Sequence, residues 1–411
     1  MNLILKIKLK KLCHISINIL LMKIENCLVC NNKDLIEYLN LGYQPLANNL
    51  SKKIYVNKFP LKISYCKNCF HNQLTYEIKK EKLFSRYFYL SSQSNILQKH
   101  FYLAAKKYTK IFKLNKFSKI IDVGSNDGIA LKYYKKHQFK NFFGIEPAKN
   151  VSNIANSNGL KTINSFLNLK LSKKYYEYAD IVTASNVFAH NKDIKKLSKY
   201  LLSLVKKNGV LIIEVQYLVS MIKNSLFDNI YHEHIHYWSI NALNNLFKNF
   251  GCTIIKIEKI NTHGGSIRCY VKKKKLKQNS YLKKLLREEI KFGINKKSTF
   301  INFAKKIKNK RNDFKKFLVL KKNKIIVGYG AAAKTSTLLN YLKISKSLRY
   351  IIDDNKLKQD HYIPGTKIKI VSKNKINKKI DYLIVFAWNY FNEIKKKVNY
   401  AKKIISIRKF F

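Results

Sequence analysis

Residues 231–239 read YHEHIHYWS, so three of the chain's 10 histidines and one glutamate fall within five consecutive positions. Three readings of that stretch compete: a metal site, an acid–base site, or a polar loop with a structural role. The spacing is HExH, whereas two histidines share one helical face in HExxH, which weakens the metal reading. A neutral imidazole is well matched to proton transfer near neutral pH. A tyrosine or second histidine beside it could donate to a developing oxyanion, and Glu233 could orient a ring or take the proton itself. In an extended chain Tyr231, Glu233 and Ile235 share one face and His232, His234 and His236 the other. A turn would mix the two sets. The stretch follows the apolar SLFDNI and leads into SINALNNLFKNFG, a helix for which Ser239 is the expected N-cap.

A clearer metal signal lies far upstream. The pairs Cys27/Cys30 and Cys66/Cys69 each have CxxC spacing, with 35 residues between the pairs. Each pair can turn two sulfurs toward one ion, and four thiolates make the closed tetrahedral set of structural zinc. A closed set leaves no position for water, so the expected role is structural. A redox pair would need only one CxxC. Cys13, Cys252 and Cys269 read as apolar packing residues.

Elements able to position such groups follow. FSKIIDVGSNDGIALKYYKKHQFKNFFGIEPAKN predicts a strand over Lys119–Val123, a turn over Gly124–Gly128, a helix from Ile129, and a second strand over Asn141–Ile145. That strand ends in Glu146, 24 residues after Asp122. A glycine-rich strand–turn–helix lets backbone approach a ligand, and an acid at the next strand end can grip a ribose diol. The glycines read G-S-N-D-G, however, and Asp122 would repel a pyrophosphate. An acid there suits a cationic amino-acid tail, which points to S-adenosylmethionine. Strands are also expected within Tyr178–His190 and Lys206–Leu218, the latter entered through an Asn-Gly turn, and Asn186 lies at the polar exit of the first.

Two strands flank His263-Gly264-Gly265, where the twin glycines either admit a ligand or make a plain hairpin turn. A Lys-rich helical stretch follows at about 280–320. Then KNKIIVGYGAAAKTSTLLNYL gives a strand, Gly328-x-Gly330 and a helix, and SLRYIIDDN a strand ending in Asp353 and Asp354. This second α/β unit could be a dinucleotide site with Asp353 on the ribose, a purely structural domain, or a sugar-nucleotide site. Small residues followed by Lys334 at a helix N-terminus suit a pyrophosphate already linked to a sugar.

Composition bounds the partners. The formal charge is +59, but of 82 basic residues only six are Arg, and the Lys excess is spread along the chain. Readers of nucleic acid favour the planar fork of Arg, so the charge is read as compositional drift and no nucleic-acid partner is expected. The apolar run Ile15–Met22 is too short to span a bilayer, which makes a cytoplasmic protein without a membrane partner the expectation and Met22 a candidate start. Oligomeric state is not legible.

In order, CxxC, PLAN, CxxC, DVGSNDG, NVFAH, YHEHIHYWS, HGGSIRCYV, GYGAAAKTSTLLNY and IDDN…YIPGT resemble the nucleotide-sugar C-methyltransferases from Cys27 to the end of the chain. The resemblance implies an α/β protein: an N-terminal extension (1–22), a four-cysteine zinc subdomain (23–80), a Rossmann-like class I methyltransferase domain (81–255), and a smaller Rossmann-like C-terminal domain (256–411). It implies S-adenosylmethionine-dependent C-methylation of a nucleotide-linked 4-keto deoxysugar, with structural Zn²⁺. By resemblance the acid–base set is Tyr231, Glu233, His234 and His190, with His234 as base, and Tyr89 comes from a tyrosine-containing lid in RYFYLSSQS. Relatives commonly carry Pro where this chain has Phe88. Cofactor contacts fall on Asp122, Gly124, Asn126, Gly128, Glu146 and Asn186, and substrate contacts on His263, Gly330, Lys334 and Asp353. The alternatives are a zinc-bearing RNA or protein methyltransferase and a non-catalytic binding protein. The Asn-Pro-Pro-Tyr-like target motif of the first is missing, since the relevant strand ends ASNVFAH.

Overall fold

The computed structural model describes residues 21–79, 83, 90–376 and 379–411. The expectations for Cys13, Tyr89 and the extension before Leu21 lie outside the described residues.

Near the N-terminus, β1 (Leu21–Lys23) pairs with β5 (Tyr76–Ile78), and β2 (Leu35–Pro45), β3 (Lys58–Cys66) and β4 (Asn72–Leu74) form an antiparallel meander. The residues after the two CxxC pairs, Asn31 and Phe70, have φ of 64° and 59°. Those left-handed turns let Asn31 N–H donate to the Cys27 carbonyl at 2.8 Å and Phe70 N–H to that of Cys66 at 3.0 Å. Both knuckles thereby curl their sulfurs inward.

The central sheet contains β6 (Lys119–Val123), β7 (Asn141–Ile145), β8 (Thr162–Ile163), β9 (Ala179–Ser185) and β10 (Val205–Gln216) in parallel. Beyond β10 lie β13 (Ser266–Lys272), antiparallel to it, and then β12 (Thr253–Ile260). The order is β12-β13-β10-β9-β6-β7-β8. Chain order reverses between β6 and β9, and ligands bind outside strand carboxyl ends at such a switch point. The third sheet, β16-β15-β14-β17-β18, is parallel throughout and uses β14 (Ile326–Tyr329), β15 (Ile351–Ile352), β16 (Ile370–Val371), β17 (Ile380–Val385) and β18 (Ala401–Ser406).

Three expectations need correction. The boundary between 255 and 256 falls inside β12, because the hairpin around His263 completes the central sheet. Asn208-Gly209 is not a turn before a strand: β10 runs through it with a register shift between Val205 and Val210. A Cβ on Gly209 would lie 2.9 Å from two carbonyl oxygens of the neighbouring strand, so glycine permits that irregularity. The helical stretch at 280–320 is two helices, Ser280–Phe292 and Lys297–Leu320, broken at Gly293 with φ 95°. No helix among the described residues is long and apolar enough to cross a membrane.

The cores are shared between the units. Cys27, Val29, Cys66 and Cys69 pack in one cluster with central-sheet residues and with Trp238, Leu243 and Phe247. The twin glycines have a packing role: Trp388, after β17, lies against Gly264, whose φ is 88°. A Cβ on Gly264 would sit 2.6 Å from the Trp388 ring and 2.5 Å from Leu226. Trp388 is fixed by donating from Nε1 to Asp228 at 2.7 Å. Gly264→Ala is expected to cost about 1–3 kcal/mol through clash and backbone strain, read as a fall of several degrees in Tm.

Candidate active site

The segment YHEHIHYWS is not uniformly extended. His234 N–H donates to the Tyr231 carbonyl at 2.8 Å, closing a turn, and only His236–Tyr237 forms a strand, β11. The turn puts Tyr231 and His234 together and disperses the other side chains. The expected cap is present: Ser239 Oγ accepts from Ala242 N–H at 3.0 Å as the helix Ile240–Lys248 begins.

Hydrogen bonds fix the tautomers. His234 Nδ1 faces the Asn229 carbonyl at 2.8 Å and must therefore carry the proton. Burial and the nearby His190 hold the ring well below the usual histidine range, so it is neutral. Its Nε2 is then an acceptor, and the Tyr231 hydroxyl donates to it at 2.7 Å. His190 lies edge-on to His234 with ring centroids 4.9 Å apart, and burial lowers it to about 4. His236 Nε2 donates to the Asn191 carbonyl at 2.8 Å, so its Nδ1 accepts from His71 Nε2 at 2.9 Å. His232 is buried beside Phe59, and burial lowers it to about 4.

Glu233 differs from the expected acid–base role in its surroundings. Both carboxylate oxygens accept from Asn48 Nδ2 at 2.8 Å, and burial raises the acid to about 7. It does not line the cavity, whereas Asn48 of the PLAN segment does.

That cavity, of ≈ 960 Å³, lies between all three units. Asn48 and Leu50 come from the zinc subdomain; Asp122, Gly124, Asn126, Glu146, Asn186, His190, Tyr231, His234 and His263 come from the central unit. Gly330, Lys334 and Asp353 come from the C-terminal unit. The expected cofactor and substrate residues thus converge, except Gly128, which does not line the cavity. Gly128, with φ 78°, is required because a Cβ would lie 2.5 Å from Leu160.

The cofactor end fits S-adenosylmethionine. Asp122 is buried, accepts from Thr183 Oγ1 at 2.6 Å, and is raised to about 7 by that burial, so a cationic ammonium beside it would be welcome. Gly124 has φ 70°, and a Cβ there would meet Val187 at 2.4 Å. Glu146 is oriented by Asn126 N–H at 3.0 Å and Ala148 N–H at 2.9 Å. Ser91 N–H donates to Asn126 Oδ1 at 2.9 Å, and Ser92 N–H to Asp127 at 3.1 Å. The segment before the helix Asn95–Ile111 is therefore fastened over the loop. The sequence reading missed Asn48, Ser91, Gln93, Asn191 and Trp388 as cavity residues. Asn48, Ser91, Gln93 and Asn191 had a signal, in lying within or beside the motifs PLAN, RYFYLSSQS and NVFAH, whereas Trp388 had none.

The four cysteine sulfurs lie within 4.8 Å of one another, with Cys27–Cys69 at 3.5 Å and Cys30–Cys66 at 3.6 Å. Tetrahedral zinc with Zn–S of about 2.3 Å needs edges of about 3.8 Å. The donor set fits zinc. Without a cation the thiols cannot ionise together: the Cys27 and Cys66 sulfurs push Cys69 far up.

Lys334 Nζ is shielded from solvent, lies 4.5 Å over the Trp388 ring, and has no hydrogen-bond partner among the described residues. Burial lowers it to about 8.

Three family models match the chain: a zinc-binding domain over residues 27–84, a methyltransferase domain over 96–257, and a C-methyltransferase C-terminal domain over 261–405. The C-methyltransferase NovU of Streptomyces niveus is 28% identical over 384 residues, covering 90% of this chain and 91% of its own. Among solved structures, an S-adenosylmethionine-dependent methyltransferase of Clostridium acetobutylicum is 16% identical with a TM-score of 0.35, covering 43% of this chain and 92% of its own. The plantazolicin methyltransferase BpumL, in complex with SAH, is 15% identical with a TM-score of 0.34, covering 42% and 82%.

The buried histidines predict an acid limb in stability. His190, His232, His236 and His263 are each depressed to about 4 by burial. Unfolding lets them take up protons, so their contribution is full above about pH 6.5 and lost as pH falls toward 4. Asp122 and Glu233, raised to about 7, act in the opposite sense over about pH 4–7 but are outnumbered. Tm measured by calorimetry should fall steadily from pH 6.5 to 4, and a flat profile would contradict these assignments.

Proposed function

Because the chain belongs to the zinc-binding, S-adenosylmethionine-dependent C-methyltransferases, we propose that its acceptor is a nucleotide-linked 4-keto deoxysugar, methylated in the cytoplasm at the carbon beside the keto group. The observation that carries this reading is the neutral Tyr231–His234 pair lining the same cavity as the cofactor loop. Bound S-adenosylmethionine supplies an electrophilic methyl group.

A carbon nucleophile has to be made within the protein. A ring carbon next to a keto group loses a proton and becomes an enolate carbon. His234 Nε2 is the acceptor for that proton, because Nδ1 is committed to the Asn229 carbonyl. Entry of the acceptor breaks the hydrogen bond from Tyr231, whose hydroxyl then donates to the enolate oxygen, with His190 beside it. Glu233, tied to Asn48, fixes the turn. Across the cavity, Gly330 and Lys334 at the start of the helix Ala333–Leu342 receive the pyrophosphate.

Incubation with methyl-labelled S-adenosylmethionine and a panel of 4-keto-6-deoxy sugars linked to dTDP, UDP, CDP or GDP should transfer label to a sugar carbon. Label transferred to RNA or protein in their place would overturn the reading.

A further inference from the structure

Behind the cofactor end of the cavity lies a buried charge cluster that the methyl-transfer chemistry does not use. At its centre is Glu214 on β10, with both carboxylate oxygens taken up. His100 Nε2 lies 2.9 and 3.1 Å from them. Arg268 donates from Nη2 at 2.8 Å and from Nε at 3.2 Å, and Thr262 Oγ1 donates at 3.3 Å. Burial raises such an acid, but the hydrogen bond from His100 and the charge of Arg268 outweigh it and hold Glu214 down at about 2. Glu214 is therefore ionised, and His100 Nε2 must carry the proton it donates. The Glu214 backbone carbonyl accepts from Asn186 N–H at 2.8 Å.

The side chains of Glu214, His100, Arg268 and Thr262 do not line the cavity, yet the segments they fasten do. His100 belongs to the helix Asn95–Ile111, whose cap Ser94 and residues Leu97 and Phe101 form one wall. Thr262 precedes His263, and Asn186 sits in a left-handed turn with φ 59°; both His263 and Asn186 line the cavity. Helix, hairpin and turn come from three separate parts of the chain and meet on one residue. The segment Ser91–Gln93, fastened over the cofactor loop, runs directly into that helix. A buried ion pair can often be replaced by apolar side chains of similar volume without loss of stability. What an apolar core does not supply is a directional tie that holds the helix at one distance from Asn186.

We propose that Glu214 and His100 are positioning residues of the cofactor pocket: their hydrogen bond sets how closely the helix wall stands to the turn at Asn186, and so how tightly S-adenosylmethionine and SAH are held. The inference holds for any acceptor.

Calorimetric titration of SAH into the zinc-loaded full chain, with Tm measured alongside, tests it. His100→Ala should weaken SAH binding about tenfold. His100→Gln, whose amide can still donate to the carboxylate, should recover most of that loss. Lys107→Ala is the control. It frees the same helix from Glu258, 2.6 Å away at a more exposed position, and should leave SAH affinity within about twofold. Unchanged SAH affinity in His100→Ala, even with a lower Tm, overturns the assignment and leaves a purely structural cluster. An equal loss in His100→Gln or in Lys107→Ala overturns it too. If His100→Ala does not fold, His100→Leu fills the space without a donor and carries the same expectation; normal SAH affinity in that variant is equally contrary.

Discussion

The placement of the histidine-rich turn in the cavity hangs on one strand pairing. β11 joins β4 of the zinc subdomain, with His236 opposite Gln73 and Tyr237 opposite Asn72, and Leu74 N–H donates to the Ile235 carbonyl at 2.9 Å. The histidine-rich segment belongs to the methyltransferase half of the chain, yet it is an edge strand of the N-terminal sheet. Three side-chain contacts reinforce the pairing: Asn48 on Glu233, His71 on His236, and Phe59 against His232. The zinc knuckles pack in the same core as Trp238 and the helix after it. Metal binding here is thereby folding energy for the segment that carries the Tyr231–His234 pair.

That constraint explains a division of labour among side chains that look alike in sequence. Of three histidines at alternating positions, one is buried in apolar packing, one is locked between His71 and a backbone carbonyl, and one reaches the cavity. The turn from Tyr231 to His234 brings hydroxyl and imidazole together and turns Glu233 toward the zinc subdomain. Burial does the rest, keeping His234 and His190 neutral near neutral pH.

The elements with strong local signals were legible in the sequence. Short apolar strands ending in Gly124, Glu146, Gly330 and Asp353 announced two α/β units, and two CxxC pairs announced a four-sulfur centre. Less legible was whatever depends on distant partners. Nothing local in THGG says that Gly264 receives Trp388 from more than a hundred residues away, or that the hairpin around it closes the central sheet. Alternation alone could not choose between strand and turn at 231–235, because the choice is made by Asn229 and by strand β4. Asn48 could be quoted as part of a motif, but its grip on Glu233, 185 positions further along the chain, appears only in the folded structure.

The central claim is that His234 takes a proton from a carbon before any methyl group moves. Solvent deuterium exchange into a turned-over 4-keto nucleotide sugar measures that step directly, with SAH replacing S-adenosylmethionine so that transfer cannot follow. The unaltered protein should exchange one ring C–H beside the keto group. His234→Gln should slow that exchange about 10²–10⁴-fold while binding SAH normally. Undiminished exchange in the variant would contradict the account.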